Sequence, residues 1–215
     1  MSIDQKIQDR IAESLKLGTV SSSEWQAYTW KNELTEQRRR IVLHLDEALM
    51  GSETEHHPLH MLERSIGIAA MCMRRLIECR LLTDRFCNNE LNVHVIHPKE
   101  AVEWREPFLN RSASHIFNNY DMTARYSIKK NPRYISSKLL HAQVIGVIAN
   151  SFYLPDGLLI ASDFQKKNNL FHFSPPEITG ICDAFLSDKV KSSFDGYIDQ
   201  DRKFVGGQHV LATRK

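Results

Sequence analysis

At 215 residues, with 42% hydrophobic and 25% charged side chains, the chain has the length of one domain and enough apolar material to bury a core, which excludes global disorder. Its formal net charge of +2 is too small to signal the concentrated basic field of proteins that live on phosphates, and argues against nucleic acid or an anionic membrane as partner. No run reaches the roughly 18 apolar residues of a membrane span, because Arg74, Arg75, Glu78 and Arg80 interrupt the best stretch, Ile66 to Leu82.

The opening Met1-Ser2-Ile3-Asp4 lacks the apolar core of a signal peptide. Cys72, Cys79, Cys87 and Cys182 have neither the spacing of a zinc knuckle nor the density of a disulfide framework. Both features point to reduced thiols in a cytoplasm.

Ser2 to Leu17 reads as a first helix, with Ser2 and Gln5 at capping-box spacing and Ile3, Ile7, Ile11 and Leu15 along one narrow stripe. A second helix opens at Ser21 and runs to about Met50, with Leu34, Ile41 and Leu45 on its apolar face. Trp25 and Tyr28 lie off that face. The clearest signal is a third helix from about Leu59 to Phe86, entered through Pro58, whose apolar sector is wide enough for a helix covered on most sides.

Beyond Asn88-Asn89 the pattern changes. Leu91 to Ile96 alternates as a short strand, while Pro98 to Pro132 shows no sustained period. A short helix is expected from Ser136 through Leu139, Leu140 and Val144. Val147 to Leu154 and Leu158 to Ala161 read as a β-hairpin turning at Pro155-Asp156-Gly157, and Leu170 to Phe173 as a third strand. Pro175 opens a last helix through Ile178, Ile181, Cys182, Phe185 and Leu186. The sum is a single α+β domain: a mainly helical part to residue 87 with a long buried helix, then a small antiparallel sheet with a C-terminal covering helix.

Local chemistry is sparse. His60 and Glu63, three apart at a helix start, are weak candidates for one cation, but HExxH spacing is absent and Pro58 interrupts the helix on the side of His56. Arg80 and Asp84 fall on the same side as Leu62, Ile66 and Met73, where a charge needs a partner. Arg75, Glu78, His141 and Asp163 place charge beside apolar elements and complete a candidate polar site between helices and sheet. No pair of arginine and histidine has the spacing of the helical-bundle ribonucleases, and GxSxG, P-loop and GxGxxG motifs are absent, so no cofactor is implied. Lys129-Lys130 and Lys166-Lys167 read as solvated loops without interleaved aromatics.

Leu158 to Asp163, Leu170-Phe171-His172-Phe173, the Pro175 helix and Arg74-Arg75-Leu76-Ile77-Glu78 resemble a family of small bacterial proteins of mobile gene cassettes. The resemblance covers about half the chain; the family has no established activity, so it implies no substrate, cofactor or site residue. The excess of amphipathic helix surface favours a cytoplasmic, non-catalytic interaction or regulatory module that associates with itself. An enzyme or nucleotide-binding protein using Arg75, Glu78, His141 or Asp163 is the alternative, and a nucleic-acid-binding protein, which would need the scattered lysines and arginines to cluster, is a third.

Overall fold

The computed structural model describes Gln5, residues 27–50, 57–100, 102–104 and 114–190, and the backbone of 192–198 and 204–209. Apart from Gln5, the helix expected over Ser2 to Leu17 lies outside these residues, as does Trp25. The second expected helix is present as α1 (Ala27–Met50), which buries Leu34, Ile41 and Leu45. It packs along α2 (Pro58–Glu78), the central helix, where Leu62, Ile66, Ala69, Met73 and Leu76 recur every three or four residues and are fully covered. Each of the leucine, isoleucine and methionine side chains contributes roughly 1.5–3 kcal/mol by leaving water. Pro58 sits in the first turn, where its missing N–H costs nothing, and the Nδ1 of His57 accepts from the Leu59 N–H at 3.3 Å.

The long helix expected to reach Phe86 ends instead at Glu78. Arg80 takes a φ of 54°, its N–H donates to the Ile77 carbonyl, and the Leu81 N–H donates to the Leu76 carbonyl. This is a Schellman closure with arginine where glycine is usual. Thr83 then caps α3 (Asp84–Asn88), its hydroxyl accepting from the Phe86 N–H at 3.0 Å. Arg80 and Asp84 therefore do not share a helical face; both are exposed, one at the closure and the other in a new helix.

The sheet has five antiparallel strands in the order β2-β1-β5-β4-β3, one more than the four expected. These are β1 (Leu91–Ile96), β2 (Tyr126–Lys130), β3 (Ala142–Ala149), β4 (Pro155–Ser162) and β5 (Leu170–Phe173). The unreadable stretch contains β2 and the short helix α4 (Ser114–Asn119). The helix expected from Ser136 to Val144 is α5 (Pro132–Leu140), capped by Asn131, whose side chain accepts from the Tyr134 N–H at 2.8 Å. Val144 belongs to β3, where the branched run Val144, Ile145, Val147, Ile148 pairs with β4.

The hairpin also turns earlier than expected. Asn150 closes the turn, its side-chain oxygen accepting from the N–H groups of Phe152 and Leu154, with Tyr153 at a φ of 60°. Pro155 to Gly157 lie within β4. Gly157 is needed for a close crossing: a Cβ there would lie 2.4 Å from Nε2 of His172 and 2.7 Å from the Phe173 carbonyl oxygen of β5.

One sheet face carries Val93, Val95, Leu158, Ile160, Phe171 and Phe173 against α1, α2, α5 and α6 (Pro175–Ser187). Helix α6 opens with a capping box in which Ser174 and Glu177 satisfy each other's backbone. The opposite face carries Ile96, Val144, Leu159 and Leu170 against Ile116 of α4 and Tyr120. A separate hairpin, β6 (Ser192–Ile198) and β7 (Phe204–His209), follows. Among the described residues no helix is long and apolar enough to cross a membrane.

Candidate functional site

The six residues expected to form a polar site are spread apart along the fold and all are exposed. Arg75 and Glu78 lie on the last turns of α2, where Glu78 binds Arg74 of its own helix. Arg80 and Asp84 flank the helix break, His141 caps the end of α5, and Asp163 follows β4 and pairs with Lys166 at 3.0 Å. His60 and Glu63 do come together, in a groove of about 390 Å³ between α2 and the corner where α5 turns into β3. Among the described residues no group of three or more His, Cys, Asp or Glu is arranged to hold a metal ion.

That groove has two chemically different walls. His60, Glu63 and Arg64 of α2 form a polar one, and Leu139, Leu140 and Ala142 an apolar one. Gly67 and Ile145 also line it, and a Cβ placed on Gly67 would meet nothing within 4 Å. The space beside Gly67 is open, so the groove is not a closed core void.

Strand β3 leads away from the groove as one rim of the sheet. Its eight residues, Ala142-Gln143-Val144-Ile145-Gly146-Val147-Ile148-Ala149, contain no charge and no proline. The other rim, β2, ends in Lys129 and Lys130. Rim strands offer unpaired backbone N–H and C=O groups, and lysine is a common device for keeping other strands away from them. The β2 rim carries two lysines of its own, whereas β3 carries none and meets a cation through Lys166, whose Nζ donates to Oε1 of Gln143 at 3.0 Å.

At the far end of β3 the Asn150-closed turn holds out three large apolar side chains. Phe152 is 80% exposed, Tyr153 86% and Leu154 57%. The backbone amides of Phe152, Tyr153 and Leu154 and the Leu154 carbonyl are all tied to Asn150, so hydrogen bonds define the shape of the tip. An exposed apolar cluster on a fixed loop is the usual form of a contact surface.

A second polar cluster lies on the sheet itself. His172 of β5 stands opposite His94 of β1, so their side chains share one face. Nδ1 of His94 lies 2.5 Å from Oε1 of Glu177 at the start of α6. Asp156 binds Arg125 through Oδ2, and the same oxygen lies 3.9 Å from Nε2 of His172. The His172 side chain is only 3% exposed and neither ring nitrogen has a hydrogen-bond partner. Burial, reinforced by the Arg125 guanidinium and opposed by Asp156 and Glu177, holds this imidazole below the ordinary histidine range. The group is too enclosed to meet a substrate, and its protonation is coupled to folding.

The sign follows directly. The unfolded chain takes up a proton at this position near pH 6.5, whereas the folded chain resists it, so stability is full above that pH and falls as the pH drops below it. Between pH 7 and 5.5 urea unfolding should show a loss of stability assignable to this residue, with a ceiling of ~1.4 kcal/mol per pH unit. His172→Leu should lack that part of the loss and retain full stability at pH 7, because it removes two unsatisfied nitrogens. Equal losses in the two proteins would clear His172 of the role.

Burial makes Cys72, Cys87 and Cys182 poor nucleophiles. All four cysteines are free, and burial pushes Cys72 and Cys182 up to about 12. The chain matches no family model, no curated protein and no solved structure.

Proposed function

We propose that the protein is a non-catalytic interaction module that acts as a homodimer, joining two copies through the β3 rim into one continuous sheet. The observation that carries this reading is the contrast between the two rims: β2 bears two lysines and β3 bears no charge along its whole length. An antiparallel rim can pair with itself about a two-fold axis, which is the commonest way a chain forms a closed pair. The four unpaired thiols fit a reducing cytoplasm. A catalytic alternative draws less support, since the six expected polar residues are exposed and scattered, and the most perturbed histidine is sealed.

The test is solution mass. Light scattering on a sizing column should give twice the 24.9 kDa of the chain, shifting toward the single-chain value on dilution. Centring the pairing on Gly146 sets Ile145 of one copy opposite Val147 of the other, on the same face. The double variant Ile145→Lys/Val147→Lys sets lysine against lysine twice and should stay monomeric. Ile145→Lys/Val147→Glu sets lysine against glutamate and should dimerise again, which loss of fold cannot mimic. A wild-type chain that keeps the single-chain mass up to the concentration of its stock would overturn the proposal.

A further inference from the structure

We infer that Asp156 is an exchangeable carboxylate: it holds Arg125 while His172 is neutral and turns to His172 when that ring takes up a proton, so that acid releases Arg125 from β4 within the folded chain. The place of Asp156 in the sheet allows this. Ile148 of β3 pairs with Gly157 and Ala149 with Pro155, so Asp156 between them has no partner on β3. It is the extra residue of a β-bulge. In a regular strand Asp156 and Gly157 would face opposite sides of the sheet, yet both approach His172. The bulge re-aims the carboxylate, and its side chain can swing without parting β3 from β4.

One oxygen, Oδ2 of Asp156, stands between two claimants. It binds the guanidinium of Arg125, just before β2, and lies 3.9 Å from Nε2 of His172. That is about 1 Å too far for a charge-assisted hydrogen bond, a gap that rotation of the side chain closes. The charged and titratable groups that face the His172 ring are Arg125, Asp156, Glu177 of α6 and His94, opposite it on β1. Glu177 is already engaged: its Oε2 accepts from the N–H and hydroxyl of Ser174, and its Oε1 faces Nδ1 of His94. Arg125 repels a second cation, and so does His94 once protonated. Asp156 is the carboxylate left for the ring.

The two claims are unequal. A protonated His172, with its side chain 3% exposed, has no water to turn to, and an enclosed charge without a partner is strongly disfavoured. The Arg125 side chain is 35% exposed, so water takes over its hydrogen bonds on release, and an ion pair this open contributes little. Burial delays the uptake of the proton, which places the exchange below pH 6.5.

Nuclear magnetic resonance on the isotope-labelled full chain, titrated downward from about pH 7.5, tests the exchange. The probes are the ring signals of His172 and the side-chain N–H signal of Arg125, identified by its loss in Arg125→Lys. In the wild type both should move with one midpoint, below pH 6.5. In His172→Leu the Arg125 signal should stay in place down to about pH 4, where carboxylates ordinarily take up protons. Asp156→Asn should lower the His172 midpoint by about one pH unit or more, since the neighbouring opposite charge is gone, and the Arg125 signal should no longer follow it. An Arg125 signal that holds still while wild-type His172 titrates would overturn the inference, leaving a fixed Arg125–Asp156 pair. Unfolding of the wild type before His172 takes up its proton would overturn it as well, because no folded acid form would exist. So would a His172 midpoint left unchanged by Asp156→Asn.

Discussion

Adding one methyl group at residue 157 is expected to destabilise the fold by about 3 kcal/mol or more, the upper end of what overpacking does. The Gly157→Ala Cβ would arrive 2.4 Å from Nε2 of His172 and 2.7 Å from the Phe173 carbonyl oxygen. The first contact is with a ring 3% exposed, and the second is with backbone in the adjacent strand β5. Neither group can retreat without parting β4 from β5, and a dense interior transmits such a shift instead of absorbing it. Gly67→Ala and Gly180→Ala supply the control: both positions lie in helices with open space at the added Cβ, so both should gain roughly 0.5–1 kcal/mol. Urea midpoints of the three variants, taken at pH 7, check the ranking. A Gly157→Ala midpoint equal to that of wild type would mean that β4 and β5 do not approach as closely as described.

Phe185→Ala is expected to cost 3–5 kcal/mol, in the range of large-to-small core changes, and to lower the melting temperature by roughly 6–20 °C. Phe185 has no exposed surface and sits on the face of α6 that carries Ile178, Ile181 and Cys182 into the core. Its ring meets Phe86 of α3 edge-on, with centroids 5.0 Å apart and planes at 76°. That geometry contributes about 0.5–1.5 kcal/mol beyond burial. Phe86 itself is half-buried, so Phe86→Ala should cost less than Phe185→Ala. Thermal melting followed by circular dichroism settles the order of the two, and a reversed order would place the weight of this contact on α3.

How far these features could be read in the chain depends on what each residue signals. The wide stripe of α2, the strand from Leu91 to Ile96 and the helix opening at Pro175 were legible, because long periodic runs and proline entries have a direct steric meaning. The end of α2 was not. Arg80 holds a left-handed conformation for which glycine is the usual cue, and an arginine there looks like one more helical residue. Helix α4 has six residues and β2 five, two of them lysine, too short and too charged for any period to emerge. Leu139, Leu140 and Val144 suggested one continuing helix, although Val144 already belongs to the branched run of β3.

The site was harder still. His60 and Glu63 were visible as a pair, but the groove beside them is made by the α5–β3 corner, whose approach to α2 leaves no local trace in the chain. Phe152, Tyr153 and Leu154 looked like the end of a strand, because the cue for an Asn-closed turn, Asn150, was outweighed by the Pro-Asp-Gly that follows. His172 drew no separate reading within the strand Leu170 to Phe173. It is buried because both faces of this sheet are covered, a tertiary fact.

The lysines of β2 have a consequence for size. A sheet with two bare rims grows without limit, each arrival leaving a fresh rim for the next, and ends as a fibre. Here the outermost strand on the far side carries Lys129 and Lys130. Two chains joined at β3, as proposed, would turn that cationic border outward at both ends, where a third arrival would meet repulsion, and such an assembly would terminate itself.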